Sequence, residues 1–293
     1  MAKLFTQVDA APLPCRVSLG SKITVLGSCF ADEVGKRMVD GGFDVCVNPF
    51  GTLYNPASIA AAVARLDSAE PFAESDCVEV GAGSALICSH SHHTSFARPT
   101  PGEFLDHANA VLAQAARHWA ESDVVIVTLG TAFVWRLVAG GEVVANCLKR
   151  PAAEFTRGML SVEECRQLLC GMADAHPSKQ FIFTVSPIRH LADGAHANTL
   201  SKATLQLAAS GLCYFPAYEI LLDELRDYRF YADDLVHPAK LAVEIVWERF
   251  LEAAVPSGEH ERIRLSRKEA KKSEHRPFRP ELLHKSCRLT KFV

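Results

Sequence analysis

Short, almost wholly apolar runs alternate with amphipathic stretches along the first 255 residues, and this alternation constrains the fold more than any other feature. The runs Ile23–Leu26, Val45–Val47, Val124–Leu129, Phe181–Val185 and Leu212–Phe215 are the best strand candidates. Strands that read as unbroken apolar runs are covered on both faces, as in a parallel sheet. Between them, Ala31–Val39, Pro56–Leu66, Pro101–Ala120, Val162–Ala175, Thr199–Ala209 and Pro238–Ala254 carry helical patterning. Thr100-Pro101-Gly102-Glu103 and Ser161-Val162-Glu163-Glu164 each set a hydroxyl three residues before a glutamate, as a capping box requires. Val134–Ala145, broken by Gly140-Gly141, reads as a β-hairpin. The expectation is a single doubly wound α/β domain over residues 1–257, a five-stranded parallel sheet flanked by helices with an inserted β-hairpin. In such sheets the ligand crevice lies beyond the carboxyl ends of the strands, so chemistry is sought there.

With 293 residues, 48% of them hydrophobic, the chain can bury a large core without disulfide or metal staples. Its ten cysteines are scattered through apolar segments with no CxxC pair, the pattern of buried free thiols. The opening MAKLFTQVDAAPLPC has one lysine and no apolar run, so the expected location is cytoplasmic, without secretory signal or anchor. Leu205 to Tyr218 is the longest nearly uncharged stretch, and it is too short to span a bilayer. No membrane partner is expected. Charge divides unevenly: residues 258–293 hold 11 Lys/Arg against 5 Asp/Glu, while the whole chain is at −3. This basic C-terminal tail, with Pro277 and Pro280 and no periodic apolar positions, reads as an extended or partly ordered appendage. The acidic remainder argues against nucleic acid as the main ligand. Oligomeric state is not specified by the sequence.

Two segments carry chemistry. Gly27-Ser28-Cys29-Phe30-Ala31 follows the first strand and opens a helix, which sets Cys29 at or beside a helix N-terminus. Unpaired N–H groups there favour the thiolate form of a cysteine. On the bland reading Ser28 caps the helix and Cys29 is one more buried thiol. Far downstream, Asp233-Asp234-Leu235-Val236-His237-Pro238 places a carboxylate three residues before a histidine. A carboxylate that accepts from imidazole Nδ1–H leaves Nε2 free as a general base for a Ser or Cys nucleophile.

Together these segments resemble the GSCFA family and, through it, the SGNH/GDSL hydrolase superfamily. The resemblance runs from about Val25 to Val246. It takes in Asn48-Pro49-Phe50-Gly51-Thr52, Leu129-Gly130-Thr131-Ala132, Asn146-Cys147, Ser186-Pro187-Ile188-Arg189-His190 and the Asp234 to His237 segment. It implies an SGNH-like fold with Cys29 at the nucleophile position, Ser28 being the alternative if the turn is wound by one residue. It implies Asp234 and His237 as the orienting acid and base, and the backbone N–H groups of Cys29 and Gly51 as oxyanion donors. Where that superfamily reads Gly-x-Asn-Asp, this chain has Gly130-Thr131-Ala132-Phe133, so the donor asparagine is replaced by Ala132. Asn146 is a possible substitute amide. Family members often carry histidine after the Asn-Cys pair, where this chain has Leu148.

Thr131, Arg189 and His190 fall at the same edge, where a guanidinium can hold a carboxylate or phosphate of the substrate. His90, His92 and His93 with Cys88 have poor metal-ligand spacing, so no metal is expected. No Walker-type loop is present and Gly81-Ala82-Gly83 lies outside a strand-to-helix turn, so no cofactor is expected. The expected function is that of an acyl esterase or acyltransferase acting through a covalent acyl-enzyme on O-acyl groups of a carbohydrate (glycan) or small metabolite. The alternative is a non-catalytic binding module or pseudoenzyme with the same fold.

Overall fold

The computed structural model describes residues 6–81 and 83–274. In chain order the elements are β1 (Lys22–Gly27), α1 (Cys29–Gly41), β2 (Asp44–Val47), α2 (Pro56–Ser68), β3 (Val78–Glu79), β4 (Ile87–Cys88), α3 (Pro101–Glu121) and β5 (Val124–Leu129). There follow β6 (Phe133–Leu137), β7 (Val143–Val144), β8 (Phe155–Met159), α4 (Val162–Ala175), β9 (Gln180–Val185), α5 (Gly194–Ala209), α6 (Ala217–Glu219), α7 (Lys240–Ala254) and α8 (His260–Glu274).

The central sheet has four parallel strands in the order β2-β1-β5-β9. Alternation within its strands builds two cores. Ile23, Val25, Val124, Ile126 and Ile182 face α1 and α7, where Trp247 and Phe250 pack. Leu26, Val125, Val127, Phe181 and Phe183 face the opposite way, toward side chains of α2, α3, α4 and α5 such as Ile59, Leu112, Leu169 and Leu205. Both faces are thus covered, which is why the strands read as continuous apolar runs.

The fifth expected strand is not part of this sheet. Leu212–Phe215 makes a single parallel bridge, Phe183 to Tyr214, in which Phe183 N–H donates to Cys213 and Phe215 N–H donates back to Phe183. Pro216, which lacks an N–H, follows at once and ends the pairing. A separate three-stranded sheet forms above the strand ends: β6 pairs antiparallel with both β7 and β8.

Helix boundaries follow their caps. Ser161 and Glu164 form both bonds of the capping box that starts α4, whereas at α3 Thr100 accepts from Glu103 N–H without a reciprocal bond. The final core helix starts at Lys240 rather than Pro238, because Pro238 is held in an antiparallel bridge with Tyr231 and Ala239 N–H donates to Phe230. The tail also departs from expectation: its first part is α8, docked on α1, with Ile263 fully buried. Arg267 lies 5.6 Å over the Trp247 ring and pairs with Glu244 at 2.7 Å, so its stem serves as apolar cover. Positions 275–293 of the tail lie outside the described residues. No described helix is long and apolar enough to cross a membrane.

Candidate active site

The β1-to-α1 turn is tight. Gly27 has φ +141°, and a Cβ there would come within 2.1 Å of the Thr128 carbonyl oxygen, so only glycine fits. Ser28 is the N-cap of α1: it is fully buried, its hydroxyl accepts from Phe30 N–H, and it lies 3.3 Å from the Thr128 hydroxyl. Cys29 is the first residue of α1, partly exposed, with Sγ 3.5 Å from the Tyr54 hydroxyl. As the first helical residue, its own N–H has no intrahelical acceptor.

Cys29 opens onto a cavity of about 330 Å3 at the carboxyl ends of β1, β5 and β9. Thr131, Arg189, His190 and His237 line the same space, so five sequence-predicted residues converge there. Ser28 is not in the lining. Across the cavity, the small sheet contributes Phe133, Trp135, Val144 and Arg157.

The Asp234–His237 loop is built around one carboxylate. Asp234 Oδ1 accepts from the Val236 and His237 N–H groups, each at 2.9 Å, and Oδ2 meets His237 Nδ1 at 2.6 Å. Leu235 takes φ +56°, which lets the loop fold back on itself. The His237 and Val236 backbone donors, then the imidazole, hold the Asp234 carboxyl well down, to about 2. With an ionised acceptor at Nδ1, that nitrogen carries the proton and Nε2 is the basic ring nitrogen.

The remaining predicted residues have other tasks. Thr131 Oγ1 lies 2.9 Å from Ser201 Oγ and accepts from Phe133 N–H. Arg189 donates to the Leu235 carbonyl and lies 5.6 Å over Tyr231, tying the strand end to the Asp234–His237 loop. His190 is largely buried against Tyr54, its Nε2 has no partner, and burial with nearby Lys202 pushes its pKa down to about 4. Two expected oxyanion donors do not line the cavity. Gly51 N–H donates to the Asn48 carbonyl at 2.8 Å, closing a turn at φ +82°, and Gly51 does not line the cavity. Asn146 does not line it either, and its Oδ1 accepts from Leu148 N–H. The three histidines diverge: His90 Nδ1 meets the Asn146 carbonyl, His93 Nδ1 the Ser95 hydroxyl, and His92 lies within a cluster of phenylalanines. Among the described residues no group of three or more His, Cys, Asp or Glu could hold a metal ion.

Four residues of the site carried no functional signal in the sequence. Tyr54 touches Cys29, and burial raises its hydroxyl to about 12, so it stays protonated. Asn55 lines the cavity while its Oδ1 caps α2. Its Asn-Pro pairing is a readable N-cap signature, but a cap alone does not mark a site. Arg157 forms a two-pronged pair with Asp193. Fully buried Lys202 donates to the Gly130 and Ser186 carbonyls and so ties the ends of β5 and β9 together.

Among solved structures, the chain is similar to a psychrotrophic esterase, EstA from Pseudoalteromonas sp., in a crystal structure inhibited by monoethylphosphonate. Identity is 12%, the alignment covers 79% of this chain and 94% of that one, and the TM-score is 0.38. No curated protein matches. The model of the GSCFA family matches residues 22–250, the span that holds the whole sheet, the Cys29 turn and the Asp234–His237 loop, and the chain belongs to that family.

Proposed function

We propose that this protein is an SGNH-like acyl-processing enzyme, an esterase or acyltransferase that works through a thioester on Cys29. The observation that carries the proposal is the shared cavity: Cys29 and His237 line one space, and His237 Nδ1 is anchored by an ionised Asp234. In the first half-reaction His237 Nε2 takes the thiol proton. The sulfur attacks the carbonyl carbon of the acyl group, a C–S bond forms, and the carbonyl electron pair moves onto oxygen. Collapse breaks the bond to the leaving alkoxide, which receives the proton from His237. In the second half-reaction water or an acceptor hydroxyl gives its proton to His237 and attacks the thioester carbonyl, the C–S bond breaks, and His237 returns the proton to the departing Cys29 sulfur.

Cys29 is favoured over Ser28 because the Ser28 hydroxyl is enclosed and committed to the helix cap. A larger cavity of about 450 Å3 shares Val144 and Ala145 with the first and carries Ser58, Arg65, Asp76, His90 and Glu142. Its hydroxyls and charges suit the polar remainder of an O-acylated glycan or metabolite. The test is a panel of p-nitrophenyl esters and acyl-CoA thioesters with the full chain, followed by intact-mass and peptide mapping. Turnover with an acyl adduct on Cys29, lost in Cys29→Ala and His237→Ala, is the expected result. Turnover that survives Cys29→Ala would overturn it.

One observation favours a binding module instead: Gly51 N–H is already engaged, and Ala132 offers no side-chain donor. Tight binding of acylated ligands with no turnover of any panel member would establish that reading.

A further inference from the structure

An acyl-transfer site needs donors aimed at the oxygen of the tetrahedral intermediate, and this one lacks two that the resemblance implied. The geometry points to Asn55 as the missing side-chain donor, with Nδ2 hydrogen-bonding the oxyanion that forms when Cys29 attacks. This inference rests on the acyl-enzyme reading above.

Three observations converge. First, Asn55 lines the cavity with Cys29 and His237, and it is the one carboxamide in that lining. Second, its orientation is fixed. As N-cap of α2 it accepts from Ser58 N–H at 2.8 Å through Oδ1, which leaves the NH2 group as the end free to meet a ligand. No hydrogen bond engages Nδ2 among the described residues, and Nδ2 is not among the buried side-chain atoms without partners, so it keeps some accessible surface. Third, the residue is held rigidly. It is only 6% exposed, Pro56 follows it at the helix start, and the preceding Tyr54 carbonyl accepts from both Gly130 and Thr131 N–H. The Gly130 stretch that lost its asparagine is therefore bonded directly to the residue beside Asn55. Among the other polar side chains of the lining, the Tyr54 hydroxyl is engaged with Cys29 Sγ at 3.5 Å and Thr52 Oγ1 at 3.2 Å, and Thr131 Oγ1 with Ser201 Oγ at 2.9 Å. Arg157 is paired to Asp193, Arg189 is bonded to Leu235, and the His190 Nε2 is enclosed.

In the attack step the C–S bond forms and the carbonyl π pair moves to oxygen. Nδ2–H and the Cys29 N–H then donate to that oxygen. When the bond to the leaving group breaks, the pair returns to the carbonyl and both hydrogen bonds lengthen. Neither group gains or loses a proton.

The decisive variant is Asn55→Ser, because serine also caps helices but has no amide to offer. Its kcat should fall roughly 100-fold or more, the loss typical of one oxyanion donor, with KM within about twofold. Asn55→Asp should fall further, since it sets a negative charge against the developing oxyanion while keeping the cap. Alkylation of Cys29 by iodoacetamide proceeds by displacement at carbon and forms no oxyanion, so its rate in Asn55→Ser should match wild type. Wild-type kcat in Asn55→Ser would overturn the assignment of Asn55 alone. So would a parallel loss of alkylation and turnover, which would mean the variant had disturbed the cavity. Absence of turnover in wild type would remove the enzyme reading and this inference with it.

Discussion

His92 should make the protein acid-labile, and the effect can be sized. The ring is fully buried among Phe50, Phe72, Phe96 and Phe104; Nδ1 meets Ser89 Oγ at 2.7 Å and Nε2 has no partner. Burial, with His107 and Arg65 nearby, pushes its pKa down from 6.5 to about 3. In the unfolded chain His92 takes up a proton as pH falls through about 6.5, while in the folded chain it stays neutral until about 3. Over that window the unfolded state binds more protons, so stability falls as pH falls. At about 1.4 kcal/mol per pH unit the interval amounts to about 5 kcal/mol, a large share of the ~5–15 kcal/mol that holds a domain together.

His190, depressed to about 4, adds a smaller loss over a narrower window. The first site to suffer should be the Asn48–Asn55 loop, since Phe50 packs edge-on to His92 and its carbonyl accepts from His93 N–H. The assay is urea unfolding followed by tryptophan fluorescence at steps from pH 7 to 3.5, on wild type and His92→Phe. The variant gives up the Ser89 bond, a pH-independent cost of about 1 kcal/mol, and should show a much shallower acid slope. An acid slope in His92→Phe equal to that of wild type would refute the reasoning.

Two further outcomes follow from the geometry. Ending the chain at Ser257 should uncover α1 and Trp247; loss of Ile263 burial alone is worth about 2–3 kcal/mol, so thermal unfolding should drop by roughly 5–10 °C, measurable by differential scanning fluorimetry. Asp234→Asn should lower kcat by roughly 1,000-fold or more by leaving the wrong imidazole tautomer, as in other Asp–His pairs. Because the Asp234 carboxyl sits near 2, the wild-type pH–rate profile should show no inflection from it above pH 3.

The fold was legible where burial is two-sided. Val124–Leu129 was placed to the residue, and β1, β2 and β9 to within one, because each is a continuous apolar run. Segments with little apolar burial were not. β8, Phe-Thr-Arg-Gly-Met, buries only Phe155 and has no alternation to find. α8 hid for a different reason: its docked face is Ile263 and the stem of Arg267, and a residue that reads as a charge serves as cover for Trp247. Leu212–Phe215 shows the reverse error, an apolar run with no length left for a ladder before Pro216.

At the site, the residues legible in sequence were those whose chemistry travels with a local spacing. Asp234 and His237 sit three apart in one loop and need only that loop to meet. The oxyanion donors are different, because a backbone N–H or a carboxamide becomes a donor only if nothing else has claimed it. Gly51 has the glycine a donor loop needs, yet its N–H is spent on Asn48 in the turn that lets the chain pass from β2 to α2. Asn146 has the amide, but its Oδ1 is fixed by Leu148 N–H and the residue stands outside the cavity. Asn55 reads in sequence as a cap and nothing more, and capping is what qualifies it. Spending Oδ1 on Ser58 N–H commits the acceptor, fixes the orientation of the group and leaves its two N–H donors unspent in a residue that lines the cavity with Cys29. A helix cap and an oxyanion donor are thus compatible uses of one carboxamide; Ser28 also caps α1, but it is fully buried and does not line the cavity.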